Sequence, residues 1–182
     1  MGRSAREQHP DRAPQVIEAA TLLEANQRPE LAGLLLVAYI ERELRRAGLI
    51  DGGAQRLATR AAALLARGQA GTLGACVALA AGDAETAADC LAAAGQPAAA
   101  RQVRTMAGRR PLGARLPGLI RSVNESVHPD PDMLSGELRR PLRWLERHGH
   151  RQRALDLAST LGWHRMAARL ARELHQPALA AE

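Results

Sequence analysis

RPELAGLLLVAYIERELRRAG, residues 28–48, decides the fold. Its first part, Leu31 to Ile40, is ten residues with no charged side chain and Tyr39 as its one hydroxyl, so a helix built from it is apolar on every side. Such a helix belongs in the middle of a core. Pro29 suits a first helical turn and Gly48 a stop, which predicts a helix from Pro29 to about Ala47. From Glu41 onward the same helix turns charged and emerges into solvent, with Glu41 and Arg45 spaced as an i, i+4 pair. Ten apolar residues are half of what a membrane span requires, about twenty, so the segment reads as a core helix.

The rest of the chain repeats this helical pattern in shorter pieces. Hydrophobic residues make up 46% of the 182, much of it Ala, and Phe is absent. Ala and Leu favour helix, while β-branched and aromatic residues are scarce. The expected fold is therefore all-α: a bundle of nine or ten short antiparallel helices, helical-hairpin and solenoid-like in character, with no sheet. Residues 1–13 read as a polar, disordered arm, 14–110 as an N-terminal helical bundle, and 111–182 as basic helical hairpins, either a separate unit or one continuous domain with 14–110.

In chain order, Val16, Ala20 and Leu23 mark a first helix, before the one at 29–47. IDGG, residues 50–53, reads as a turn. Leu57, Ala61, Leu64 and Leu65 give a third helix, closed by Gly68. Leu73, Cys76, Val77 and Ala80 give a fourth, with Thr72 as N-cap and Gly82 as stop. Asp83 caps a fifth, with Ala87, Ala88 and Leu91 inward, and Pro97 opens a sixth that stops at Gly108. Beyond, Leu116 to His128 reads as a helix, followed by a short piece near Met133–Leu138. Pro141 restarts the pattern with Leu142 and Leu145 inward, Ala154 to Leu161 form the next helix, and Trp163 to Leu174 the last. Gly82 to Gly95 and Gly149 to Gly162 are both thirteen-residue steps, and Ala87 and Asp89 of the first match Ala154 and Asp156 of the second. No tetratricopeptide consensus accompanies them.

Charge is distributed unevenly. All 25 basic residues are Arg. Residues 1–100 hold ten Arg and eleven acids, whereas 101–175 hold fifteen Arg and seven acids. No acid stands between Asp89 and Glu125, but Arg101, Arg104, Arg109, Arg110, Arg115 and Arg121 do. Guanidinium groups suit phosphate by charge and by forked hydrogen bonding, so Arg101, Arg104, Arg109, Arg110 and Arg115 are the candidate nucleic-acid contacts. An ordinary solvated basic surface is the competing reading. The expected partner is RNA or another polyanion, with a protein partner as the alternative.

One stretch carries candidate chemistry. In LPGLIRSVNESVHPDPD, residues 116–132, Leu116, Ile120, Val123 and Val127 form an apolar stripe. Arg121, Asn124, Glu125 and His128 then share the opposite side, with Arg121 and His128 about two turns apart. Pro129 places His128 near the helix end. An Arg and a His on one face suit phosphate stabilisation and proton transfer. A solvated face with an Arg121–Glu125 pair is the plain alternative.

Other motifs are absent. Cys76 and Cys90 sit in helical patterns, compatible with buried free thiols or with a disulfide between neighbouring helices. There is no CxxC, and the HxH at His148 and His150 stands among arginines, so no metal is expected. No Walker loop, GxGxxG, GxSxG or HExxH occurs, and no cofactor is expected. Trp144 and Trp163 are candidates for base stacking, Trp163 more in keeping with core. The N-terminus has no apolar secretory stretch, so a soluble cytoplasmic protein without membrane contact is expected.

Two segments together resemble the HEPN superfamily of helical toxin and antiviral ribonuclease domains from prokaryotes. RPELAGLLLVAYIERELRRAG is similar to an early helix of that family, and LIRSVNESVHPD to its motif of Arg, four to six residues, then His. Here six residues separate Arg121 from His128, and Asn124 stands three after the Arg rather than beside it. The resemblance implies metal-independent RNA cleavage in a homodimer. His128 would be general acid or base, Arg121 would stabilise phosphoryl charge, and Asn124 would orient the phosphate. The basic stretch from Arg101 to Arg115 would feed RNA to the site. Against this stands a non-enzymatic helical scaffold or adaptor, or a small subunit of a larger complex, docking its partner through the Arg-rich half.

Overall fold

The structure is a computed structural model that describes residues 13–47, 52–107 and 136–174. Among these residues every regular element is a helix, as expected. They are α1 (Ala13–Ala25), α2 (Pro29–Ala47), α3 (Gly52–Arg67), α4 (Gly71–Ala80), α5 (Ala84–Ala93), α6 (Pro97–Ala107), α7 (Arg140–Arg147), α8 (Arg151–Thr160) and α9 (His164–Glu173). No helix of the described residues is long and apolar enough to cross a membrane.

The helix α2 holds the fold together. Every residue from Leu31 to Ile40 is buried, as an all-round apolar segment requires. It packs against α1, α3 and α7, so it joins the N-terminal helices to the C-terminal three. From α1 to α6 each helix packs on the next, and α3 also reaches α5; α8 packs on α7, α9 and α1. The buried side chains of the α7–α9 unit belong to the same core cluster as those of α1–α6. Two ion pairs fasten the units at their margin: Arg153 Nη2 to Glu18 Oε1 of α1 at 2.8 Å, and Arg140 Nη1 to Glu30 Oε1 of α2 at 3.0 Å.

Most connections reuse one turn. Gln27, Gln69, Gly82, Gly95, Gly149 and Gly162 each have positive φ. The residue after each donates its N–H to the carbonyl five residues back, as Asp83 does to Ala78 (2.9 Å) and Trp163 to Ala158 (2.9 Å). This is a Schellman closure, and the donor is immediately the N-cap of the following helix. The thirteen-residue step seen between glycines in the sequence therefore includes Gln69, Gly82 and Gly95, as well as Gly149 and Gly162.

Four local expectations are corrected. Gly52 and Gly53 are the start of α3, not a turn. The N-cap of α4 is Ala70, so Thr72 lies inside the helix. The inward face of α4 is carried by Gly71, Gly74, Ala75, Val77 and Ala78, while Leu73 and Cys76 are only half-buried. The cause is close approach: a Cβ at Gly74 would lie 2.6 Å from the Ala62 carbonyl oxygen, and one at Gly71 2.6 Å from that of Cys90. Finally, Gly68 does not supply the left-handed residue after α3; Gln69 does, with φ 66°. Gly68 is needed instead against the start of α2, where a Cβ would meet the Glu30 backbone at 2.6 Å.

Candidate functional site

Arg121, Asn124 and His128 lie outside the described residues, as do Arg109, Arg110 and Arg115. Of the basic residues singled out from sequence, Arg101 and Arg104 fall on α6 and are exposed. They differ in surroundings. Arg104 reaches back to α5, Nε to Glu85 at 3.2 Å and Nη2 to Asp89 at 2.6 Å. Its charge is thus largely matched on the protein itself, which leaves Arg101 as the freer cation of the two.

A second basic surface lies in residues 136–174, which hold nine Arg against four acids. Three of those acids face arginines. Glu146 takes Arg169 in a two-pronged pair, Oε1 to Nη1 at 2.7 Å and Oε2 to Nη2 at 2.8 Å, and the pair holds the Glu146 carboxyl below the ordinary glutamate range. Glu173 joins the same guanidinium at 2.8 Å. Glu137 pairs with Arg140. The fourth, Asp156, accepts a hydrogen bond from Gln152 at 3.0 Å.

Because those acids are engaged, six exposed arginines close no ion pair among the described residues: Arg139, Arg143, Arg147, Arg151, Arg165 and Arg172. Four of the six recur every four residues, at 139, 143, 147 and 151. Four residues is a little over one helical turn, so Arg139 at the N-cap, Arg143 and Arg147 run as a row along α7, while Arg151 opens α8 beyond the turn at Gly149. Arg139 also lies over the Trp163 ring, 5.7 Å from its centroid.

Beside this row stand three flat rings. The His148 ring stacks on the Trp144 indole with centroids 4.0 Å apart and planes 16° from parallel. His150, the N-cap of α8, lies 6.5 Å from the indole and within 20° of its plane. His148 Nδ1 is 2.8 Å from the Trp144 carbonyl oxygen. A carbonyl only accepts, so Nδ1 carries the proton and Nε2 is the atom left for solvent or ligand. Trp144 is half-buried, and its Nε1 is buried with no hydrogen-bond partner. Trp163 packs against the core, as its apolar stripe implies.

Two further candidates give no chemistry. Burial pushes both the Cys76 and Cys90 thiols up to about 11, and both are free cysteines. At neutral pH neither offers a thiolate. Among the described residues, no group of three or more His, Cys, Asp or Glu is placed to hold a metal ion.

The arrangement is thus a row of exposed guanidinium groups along α7 beside stacked rings. Sequence reading passed over this row, with Glu137 just before it and Glu146 within it; the four-residue spacing was the available signal. Comparison of the chain with family models, with curated proteins and with solved structures finds no match.

Proposed function

We propose that the protein is a non-enzymatic helical scaffold that docks nucleic acid through its Arg-rich C-terminal half. The observation that carries this reading is the exposed row Arg139, Arg143 and Arg147 on α7, with Arg151 at the start of α8, none of them in a close ion pair among the described residues, although Glu146 exerts a longer-range pull on Arg147 and Arg151. Guanidinium groups in a row match the repeating phosphates of a nucleic-acid backbone. The α7–α9 helices share one hydrophobic core with α1–α6 and add ion pairs to Glu18 and Glu30, so the row is presented on the packed bundle. Arg101 is a further exposed cation on α6, and Arg109, Arg110 and Arg115 add to the chain's positive charge in sequence.

The test is binding of a labelled oligonucleotide across a salt titration. Affinity falls steeply with salt, by a log–log slope of about 0.7 per phosphate neutralised for a single strand and 0.9 for a duplex. Replacing Arg139, Arg143 and Arg147 together by Gln lowers that slope by about 2 to 3. A parent protein that binds no nucleic acid at low salt overturns the reading.

A second reading is favoured by one observation, the two-turn spacing of Arg121 and His128 with Asn124 between them. In it, the chain cleaves RNA without metal. His128 transfers the proton and Arg121 stabilises the phosphoryl charge, in the manner implied by the resemblance to HEPN domains, with two copies facing each other. Single-stranded RNA incubated with excess chelator is then cut to 2′,3′-cyclic phosphate ends, and His128→Ala abolishes the cut. Cleavage at the parent's rate by His128→Ala removes this reading.

A further inference from the structure

We infer that the His148 ring, backed by the Trp144 indole and bordered by Arg143, Arg147 and Arg151, is a stacking platform for an unpaired base, so that the ligand is single-stranded nucleic acid. This rests on the reading of the C-terminal half as a nucleic-acid surface and narrows it to one class of strand.

The argument begins with helical position. Trp144 and His148 are four residues apart, as are Arg143 and Arg147 immediately before them. On α7 the two pairs form adjacent stripes, one aromatic and one cationic. A surface for a single strand needs this combination: cations that track the phosphates, and a flat ring on which a base lies. A duplex keeps its bases stacked on one another and has no use for the ring.

The geometry identifies His148 as the platform. Trp144 is half-buried and packs against the core, so its indole is a support rather than an open surface. His148 is exposed, although the indole covers one of its faces at a centroid distance of 4.0 Å. The accessible area therefore lies on the opposite face and the edge. The bond from Nδ1 to the Trp144 carbonyl, 2.8 Å, holds the ring in this orientation before any ligand arrives, which lowers the ordering cost of binding. Nε2 is left at the accessible edge. His150, within 20° of the same plane, brings a second ring to the point where α7 turns into α8. Arg147 closes α7 and Arg151 opens α8, one on each side of that turn, and both are exposed and suited to phosphate.

Contacts of this kind reach base faces and phosphates and do not read the 2′-hydroxyl. RNA and DNA strands of one sequence should therefore bind alike.

The experiment uses the full chain and a fluorescein-labelled twelve-nucleotide oligonucleotide in three forms: single-stranded RNA, single-stranded DNA of the same sequence, and the blunt DNA duplex. His148→Ala weakens both single strands by roughly five- to tenfold and leaves the duplex within twofold of the parent. His148→Phe, which keeps a flat ring, restores single-strand affinity to within about threefold. Arg147 and Arg151 changed together to Gln reduce the single-strand salt slope by about 1.4. Each protein is checked for parental helix content, since His148 caps α7. Equal single-strand affinity of His148→Ala and parent overturns the platform. So does an equal loss on the duplex, or a more than tenfold preference for RNA over DNA. If the parent binds duplex and single strands alike and His148→Ala changes neither, the platform fails while the nucleic-acid surface stands. If the parent binds none of the three at low salt, both fail.

Discussion

Leu35→Ala measures how far the fold depends on α2. Leu35 is 0% exposed and sits near the middle of the all-apolar segment, on a helix packed against three others. Removing its side chain beyond Cβ takes away three carbons, which at about 0.8 kcal/mol per buried carbon is roughly 2.4 kcal/mol of transfer free energy. To this is added the cavity, at about 24 cal/mol per Å³ left unfilled. Much of the surrounding core is alanine, including Ala19, Ala20, Ala58, Ala61 and Ala62, all 0% exposed. Alanine has no rotamer to swing into a hole, so the site collapses poorly. A residual void of about 50 Å³ would add roughly 1.2 kcal/mol, for a total near 3.5 kcal/mol. Urea denaturation followed by far-ultraviolet circular dichroism reads this as a lower midpoint with unchanged slope. Leu22→Ala, at a half-buried position on α1, provides the comparison and costs about 1.5 kcal/mol or less. A loss under about 0.5 kcal/mol for Leu35→Ala, the range of surface substitutions, would refute the placement of the core.

Three further outcomes follow from particular contacts. Gly74→Ala puts a Cβ 2.6 Å from the Ala62 carbonyl oxygen, which is backbone and cannot rotate away; thermal unfolding shows a net loss, because overpacking of about 1–3 kcal/mol exceeds the roughly 1 kcal/mol gained in helix propensity. Gly52→Ala, with nothing within 4 Å, is neutral or stabilising in the same assay, and an equal loss at both positions would remove the close-packing account. Asp83→Ala loses the cap to the Thr86 N–H (3.0 Å) and the bond from Thr59 (2.9 Å), and lowers stability by about 1–2 kcal/mol, whereas Asp83→Asn keeps more than half of it. Acid removes stability in a defined window. The Arg67 guanidinium lowers Glu24 and the Arg169 guanidinium lowers Glu146; at Asp83 burial opposes the charge, but hydrogen bonds from Thr86 and Thr59 outweigh it. Depressed carboxyl groups contribute fully above the unfolded-state value and lose that contribution as pH falls through the folded one. Stability therefore drops below about pH 4.5, and Glu146→Gln makes the drop shallower; a variant with the parent's full acid slope contradicts that assignment.

The helices most legible in the sequence were those whose inward residues are large. Leu31 to Ile40 allows one interpretation only, because any helical face it presents is apolar. The cap at Asp83 was equally plain, since an Asp three residues before Thr86 places a carboxylate on an open N–H. The α4 helix was misread for a physical reason. Hydrophobic patterning weights bulk, and there the buried face is Gly71 and Gly74 with small neighbours, chosen for how near α3 and α5 can come. Bulk at Leu73 and Cys76 pointed to the wrong face. The αL residue after α3 was misplaced in the same way. Two demands fall on adjacent positions, a residue without Cβ against Glu30 and a residue with positive φ. Glycine meets the first at Gly68, so Gln69 takes the second.

Charge was the hardest property to read from sequence, because pairing is decided between helices. Arg104 stands in a run free of acids, which made it look available. Its partners are Glu85 and Asp89, fifteen or more residues earlier, brought alongside by the turn at Gly95. The arginines at 139, 143, 147 and 151 show the converse. Glu137 just before them and Glu146 among them suggest neutralisation, yet each is taken by an arginine outside the repeat, Arg140 and Arg169. The four-residue repeat and the selective use of acids together leave a cationic row on α7, with Arg151 at the start of α8. A count of charges along the chain contains the total but not this sorting. The sorting gathers along α7 arginines that close no ion pair among the described residues, and in the reading proposed above the rings of His148 and Trp144 beside them are what would select among polyanions.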